Sequence, residues 1–237
     1  MYQDIIKLEK FYQSELGKAV QDKIYLKLKK YIYLYDGEKL GSFGFGEPYL
    51  SLLPKKNISI FNLFSEQTGI KKNILNEKLF NVLISEEQLP FEDLFLSHIV
   101  CIHYLEHSEN LKKTLRELWR VLSSEGKIYI ILPNKKSSWS FSSKSPFSTG
   151  FGFSKNQINQ VLEDNFFEVQ SIERLVYFPS WNSKLLLNNR LFFEKIGSYF
   201  WRFFNGLYLC VATKRIYAKS KSKKFSFIKK KSSHQQV

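Results

Sequence analysis

Several groups of residues in this sequence have types and spacings that could do chemistry. His103, Glu106 and His107 spell His-x-x-Glu-His. On a helix that spacing would aim two imidazoles at one divalent ion and leave the carboxylate as a base. Here the three close an apolar run instead of sitting in mid-helix, so the sequence predicts a strand end and no metal. Gly41, Gly44 and Gly46, followed by Pro48, punctuate residues 39–54. Glycines this close together let a backbone approach a ligand and mark a tight strand-to-helix turn. Cys101 and Cys210 each lie inside an apolar segment, which predicts buried free thiols in a reducing compartment and no disulfide. The formal net charge is +14, and seven lysines with no acid follow Ala218. That tail could tether the chain to RNA or an anionic lipid surface, or simply keep it soluble.

Positioning such groups requires regular elements, and the pattern supplies them. Apolar residues recur at three and four through residues 5–34, including Ile5, Leu8, Phe11, Tyr12 and Ile24, which predicts one or two amphipathic helices capping a sheet. Residues 57–64 and 78–85 read as short buried strands, and 96–105 as a central strand covered on both faces. Leu111, Leu115, Leu118, Trp119 and Leu122 share one face of a helix, with Ser108 as its expected N-cap and Gly126 as its stop. A strand over 127–134, a Ser-rich loop over 135–148, a helix over 154–165, a strand over 166–178 and a closing strand over 206–217 follow. Strand, helix and strand in alternation predict an α/β, doubly wound sheet. One domain is expected over 1–217, with a basic, disordered tail over 218–237.

Residues 89–134 resemble the second half of class I (Rossmann-like) S-adenosylmethionine-dependent methyltransferases of the type 11 sort. The match runs through Leu89, Pro90 and Phe91, then Leu105, Glu106 and His107, then Arg120, Val121 and Leu122, then Gly126, and then Pro133 and Asn134. It extends more weakly over roughly residues 36–215, and the 48–50 and 105–110 segments also resemble an alphaproteobacterial lineage of the family. The resemblance implies a seven-stranded, mostly parallel sheet with helices on both faces and an antiparallel last strand. It also implies a cofactor, S-adenosylmethionine, at the carboxyl ends of the first strands, and methyl transfer to an acceptor that the sequence does not name.

Carried over residue by residue, the resemblance places Ser42, Gly44 and Gly46 at the turn that holds the methionine end. Ser42 stands where the family has an acid, and Pro48 where it has a third glycine. Asn62 stands where a carboxylate grips the ribose hydroxyls. Ser85 and Glu86 fall beside the adenine amino group, and Leu89 and His103 complete the implied cofactor set. Losing the ribose carboxylate is expected to cost about 1.5–3 kcal/mol, which is roughly ten- to hundredfold in affinity. The altered positions leave a second reading open, a folded methyltransferase-like binding or scaffold protein without catalysis. No residue is identified as a catalytic base; His103 is a candidate only.

Two further segments carry alternative readings. Trp139, Phe141 and Phe147 lie in the loop after the fifth strand, where they would contact substrate or pack as a lid. The aromatic stretch over 185–204 would lie on a membrane surface, or pack against the sheet or a second copy. No run approaches the roughly 20 apolar residues that cross a bilayer, and the first residues carry charges where a signal peptide needs an apolar run. A cytoplasmic protein is expected.

Overall fold

A computed structural model describes residues 4–50, 57–66, 79–85, 88–143, 145–180 and 205–216. The N-terminal periodicity resolves into two helices, α1 (Ile5–Gln13) and α2 (Glu15–Leu28). Asp4 caps α1 by accepting from the Ile6 amide. Ser14 forms the elbow between them: its hydroxyl donates to the Phe11 carbonyl and accepts from the Gly17 amide, which caps α2.

The strands are β1 (Lys39–Gly44), β2 (Ser59–Ser65), β3 (Leu79–Ile84), β4 (Leu96–Ile102), β5 (Leu122–Pro133), β6 (Phe167–Leu175) and β7 (Leu207–Lys214). They form one seven-stranded sheet in the order β3-β2-β1-β4-β5-β7-β6. Neighbours from β3 to β5 run parallel, and β7 is antiparallel to both β5 and β6. Alternation along the strands divides the core in two. Val100, Ile102, Tyr129 and Ile131 face α1 and α2, whereas Ile99, Cys101, Ile128 and Ile130 face the two later helices, α4 (Leu111–Val121) and α5 (Lys155–Asp164). The short helix α3 (Glu47–Leu50) follows β1 directly.

Register settles the thiols. Cys101 pairs with Ile130, which pairs with Cys210, so the two cysteines sit two strands apart, about 9–10 Å at the usual strand spacing. A disulfide bridges at most about 7 Å between Cα atoms, and both cysteines are free and buried.

Some boundaries differ from expectation. Ser108 does not cap α4; Asn110 does, accepting from the Lys113 amide, while the Ser108 hydroxyl is 2.7 Å from that of Thr114. Gly126 does not stop α4. The helix ends when Leu122 turns extended and pairs with Leu96, so Gly126 lies inside β5. The central strand ends at Ile102, three residues early, because His103 has a positive φ of 54°.

Arg120 explains why two distant pieces of sequence belong together. Its guanidinium donates to both carboxylate oxygens of Glu117, to Asp93 and to the carbonyls of Leu89 and Phe91, and Glu117 accepts from the Leu89 amide. These bonds hold the Leu89-Pro90-Phe91 turn against α4, and the guanidinium holds the Glu117 carboxyl below the usual carboxylate range. Arg120→Met removes the fork and strands two carbonyls. With the side chain partly open to water, we expect a loss of about 2 kcal/mol in urea unfolding. Arg120→Lys should fall between, because an ammonium does not reproduce the fork.

Among the described residues no helix is long and apolar enough to cross a membrane. The aromatic stretch over 185–204 and the basic tail over 218–237 lie outside the described residues, as does Glu86.

Candidate functional site at the carboxyl ends of β1, β2 and β4

The glycine turn lies where the two central strands end side by side. Gly44 pairs with Ile102, and the Phe45 amide donates to the Ile102 carbonyl at 2.8 Å. Gly44 has φ +81°, and a Cβ added there would collide with the carbonyl oxygens of Ile102 and His103. Only glycine supplies that conformation and that approach together. Gly46 closes over the Ser42 side chain, its carbonyl accepts from the Tyr49 and Leu50 amides, and Gln21 of α2 donates to the Pro48 carbonyl at 2.7 Å.

Beside the turn, parallel register lines up Ser42, Asn62 and Asn81 across β1, β2 and β3. The Asn62 amide nitrogen donates to Asn81 Oδ1 at 3.2 Å. Ser42 Oγ and Asn62 Oδ1 are both buried and have no hydrogen-bond partner. A buried polar atom without a partner costs about 1–3 kcal/mol, so two at neighbouring positions mark a place that favours a ligand with hydroxyl or amine donors.

A second polar group closes β4. His103 Nε2 lies 2.9 Å from the Tyr12 hydroxyl, and His103 Nδ1 lies 3.5 Å from Glu106 Oε1 with both side chains wholly enclosed. The other Glu106 oxygen accepts from the Tyr104 amide at 3.1 Å. His107 follows on the same one-turn 3-10 helix (Leu105–His107), and one ligand-capable atom from each of His103, Glu106 and His107 lies within 4.8 Å of the other two. Burial acts to push the Glu106 carboxyl up, but the adjoining rings of His103 and His107 outweigh it and hold it below its ordinary range. Tyr12 is stacked on Phe45 at 5.4 Å and edge-on to Tyr49, and burial raises its phenol above its usual value. Phe147 lies against the His103 ring, 4.4 Å between centroids.

The structure therefore brings Ser42, Gly44, Gly46, Asn62 and His103 to the carboxyl-terminal side of β1, β2 and β4. Leu89 is buried with the Arg120 clamp on the opposite core, and Ser85 is exposed, bridged to Gln88. Of the loop aromatics, Trp139 and Phe147 are core residues and Phe141 is exposed. The residue that sequence reasoning missed is Tyr12. Its place in the apolar stripe of α1 gave its packing, whereas its bond to His103 spans 91 positions and has no local signal.

Residues 51–130 match a family model described as a methyltransferase domain. Among curated proteins none matches the sequence. Solved structures do. The chain is similar to the putative methyltransferase in complex with the Trm112 methyltransferase activator from Haloferax volcanii, with 16% identity, 89% of this chain and 98% of that one covered, and a TM-score of 0.61. It is similar to the [4+2]-cyclase SpnF, at 14% identity, 84% and 82% coverage and a TM-score of 0.62. It is also similar to geranyl diphosphate C-methyltransferase from Streptomyces coelicolor, solved with Mg2+, geranyl-S-thiolodiphosphate and S-adenosyl-L-homocysteine, at 15% identity, 81% and 75% coverage and a TM-score of 0.60. With this sheet order and these similar structures, the chain has the class I methyltransferase fold, and the family match spans residues 51–130.

Proposed function

We propose that the protein is an S-adenosylmethionine-dependent methyltransferase. The observation that carries the reading is the pair of buried, partnerless polar atoms, Ser42 Oγ and Asn62 Oδ1, beside the close Gly44 turn at the strand ends. In an open α/β sheet ligands bind at the carboxyl ends of the strands. The residues present fit the cofactor. Asn62 would accept from the ribose hydroxyls, and Ser42 with the 44–46 backbone would hold the methionine end. When bound, the cofactor supplies an electrophilic methyl group. The chain's own contribution is positioning: the enclosed aromatic wall of Tyr12, Phe45, Tyr49 and Phe147 excludes water from the strand ends.

Calorimetric titration with S-adenosylmethionine and S-adenosylhomocysteine tests this. We expect saturable binding, and Asn62→Asp should tighten it about tenfold by restoring a charged hydrogen bond, with the Asn81 amide turning to donate. No binding at millimolar cofactor by either protein would overturn the reading.

A second reading, a non-catalytic binding or scaffold protein, draws on the neutral row Ser42-Asn62-Asn81 and on Tyr12 packed between Phe45 and His103. We further propose a cytoplasmic location and, for the basic tail, contact with an anionic membrane surface or nucleic acid. Deleting residues 219–237 should weaken binding to anionic vesicles or RNA, and unchanged binding removes that contact.

A further inference from the structure

We propose that His103, Glu106 and His107 hold a divalent transition-metal ion of the zinc class. The argument rests on which atom of each side chain is already engaged. His103 uses Nε2 on the Tyr12 hydroxyl, 2.9 Å away, and Glu106 uses Oε2 on the Tyr104 amide, 3.1 Å away. The atoms left, His103 Nδ1 and Glu106 Oε1, face each other at 3.5 Å with no hydrogen-bond partner, on side chains with no exposed surface. Two donors about 2.1 Å from one tetrahedral ion stand about 3.4 Å apart. The spacing is thus longer than a good charge-assisted hydrogen bond and suits two ligands of a shared ion.

The outer contacts are of the kind metal sites need. A ligating imidazole fixes its orientation by bonding through its other nitrogen, and a ligating carboxylate is itself hydrogen-bonded. Tyr12 and the Tyr104 amide fill those roles. The local backbone serves the same end: His103 is held at φ 54°, where few residues other than glycine sit, and the one-turn helix that follows returns Glu106 and His107 to the same side. The Glu106 carbonyl accepts from the Phe151 amide at 2.8 Å, which anchors this turn to the next loop. Two imidazoles and one carboxylate suit zinc or its first-row neighbours, whereas magnesium and calcium favour all-oxygen sets. Three protein donors leave a fourth position for a buried water.

Because the cluster is enclosed, the ion enters as the chain folds, and the experiment follows that route. The full-length protein is stripped with chelator in denaturant, refolded with one equivalent of Zn2+ or Mg2+, desalted, and its metal content measured. No cofactor is present, so the result is separate from the methyltransferase reading. We expect about one Zn2+ retained per chain and no Mg2+, with Glu106→Gln retaining less than a tenth as much. Tyr12→Phe keeps the ring packing and removes only the hydroxyl, and should weaken Zn2+ about tenfold in a chelator competition. His98→Gln and His234→Gln should change nothing. A wild-type chain that retains no Zn2+ overturns the proposal, and so does retention that neither Tyr12→Phe nor Glu106→Gln alters.

Discussion

Replacing Trp139 with alanine will lower stability by about 3–5 kcal/mol, the range for removing a large aromatic from a closed core. The indole is 1% exposed and meets Phe11, Phe147 and Phe178 edge-on. Its Nε1 also donates to the Phe178 carbonyl at 2.8 Å. The substitution opens a void where α1, the loop after β5 and the segment beyond β6 meet, and it leaves a buried carbonyl unpaired. The measurement is urea unfolding followed by circular dichroism, with the denaturant dependence unchanged so that the midpoint reports stability alone. Trp139→Phe should lose less, about 1–3 kcal/mol, because it removes the hydrogen bond and only part of the volume. A loss under about 1 kcal/mol for alanine would mean that the neighbours collapse into the space.

The second large effect is expected at Gly44, and the molecule contains its own control. Gly37 and Gly44 have nearly the same positive φ, 86° and 81°, yet a Cβ on Gly37 would meet nothing within 4 Å while one on Gly44 would collide with backbone oxygens of β4. Gly37→Ala should therefore cost only the left-handed conformation, about 1–2 kcal/mol. Gly44→Ala pays that amount and must also part β1 from β4, so we expect at least about twice the loss and no cofactor binding. Parallel urea melts and cofactor titrations of the two variants isolate the close approach from the backbone strain. Equal losses would show that the strands separate there at little cost.

What could be read from the sequence follows the range over which each feature is encoded. The Leu89-Pro90-Phe91 turn, the Leu105-Glu106-His107 strand exit and the Arg120-Val121-Leu122 helix end were legible as spaced motifs. The structure shows why the first and last travel together, since Arg120 binds the turn directly. Six of the seven strands were legible from alternation and from apolar runs; β1 fell in a stretch read as a turn, and the count of seven with a reversed last strand came from the resemblance. Boundaries were not legible, because tertiary pairing set them: Leu122 is claimed by Leu96 across the sheet, which overrides the glycine four residues later as the end of α4. Of the candidate-site residues, the glycines and Asn62 were named from the resemblance, whereas Tyr12 comes from a helix far away in sequence. The histidine-carboxylate cluster was discounted on a sound rule, that such a motif belongs on a helix. A left-handed residue, His103, and the single 3-10 turn that follows it gather the same three side chains without an α-helix.

The position of β7 has a consequence for how the protein is made. It lies between β5 and β6, both earlier in the chain, and forms hydrogen bonds with each. Until the ribosome has released Lys214, a nascent chain carries two strands, β5 and β6, with bare facing edges, and such edges recruit other strands. Chains cut short before Leu207 should accumulate as aggregates even though they contain all of the glycine turn and the histidine cluster. Synthesis of the eight residues of β7 acts as the closing of a zipper.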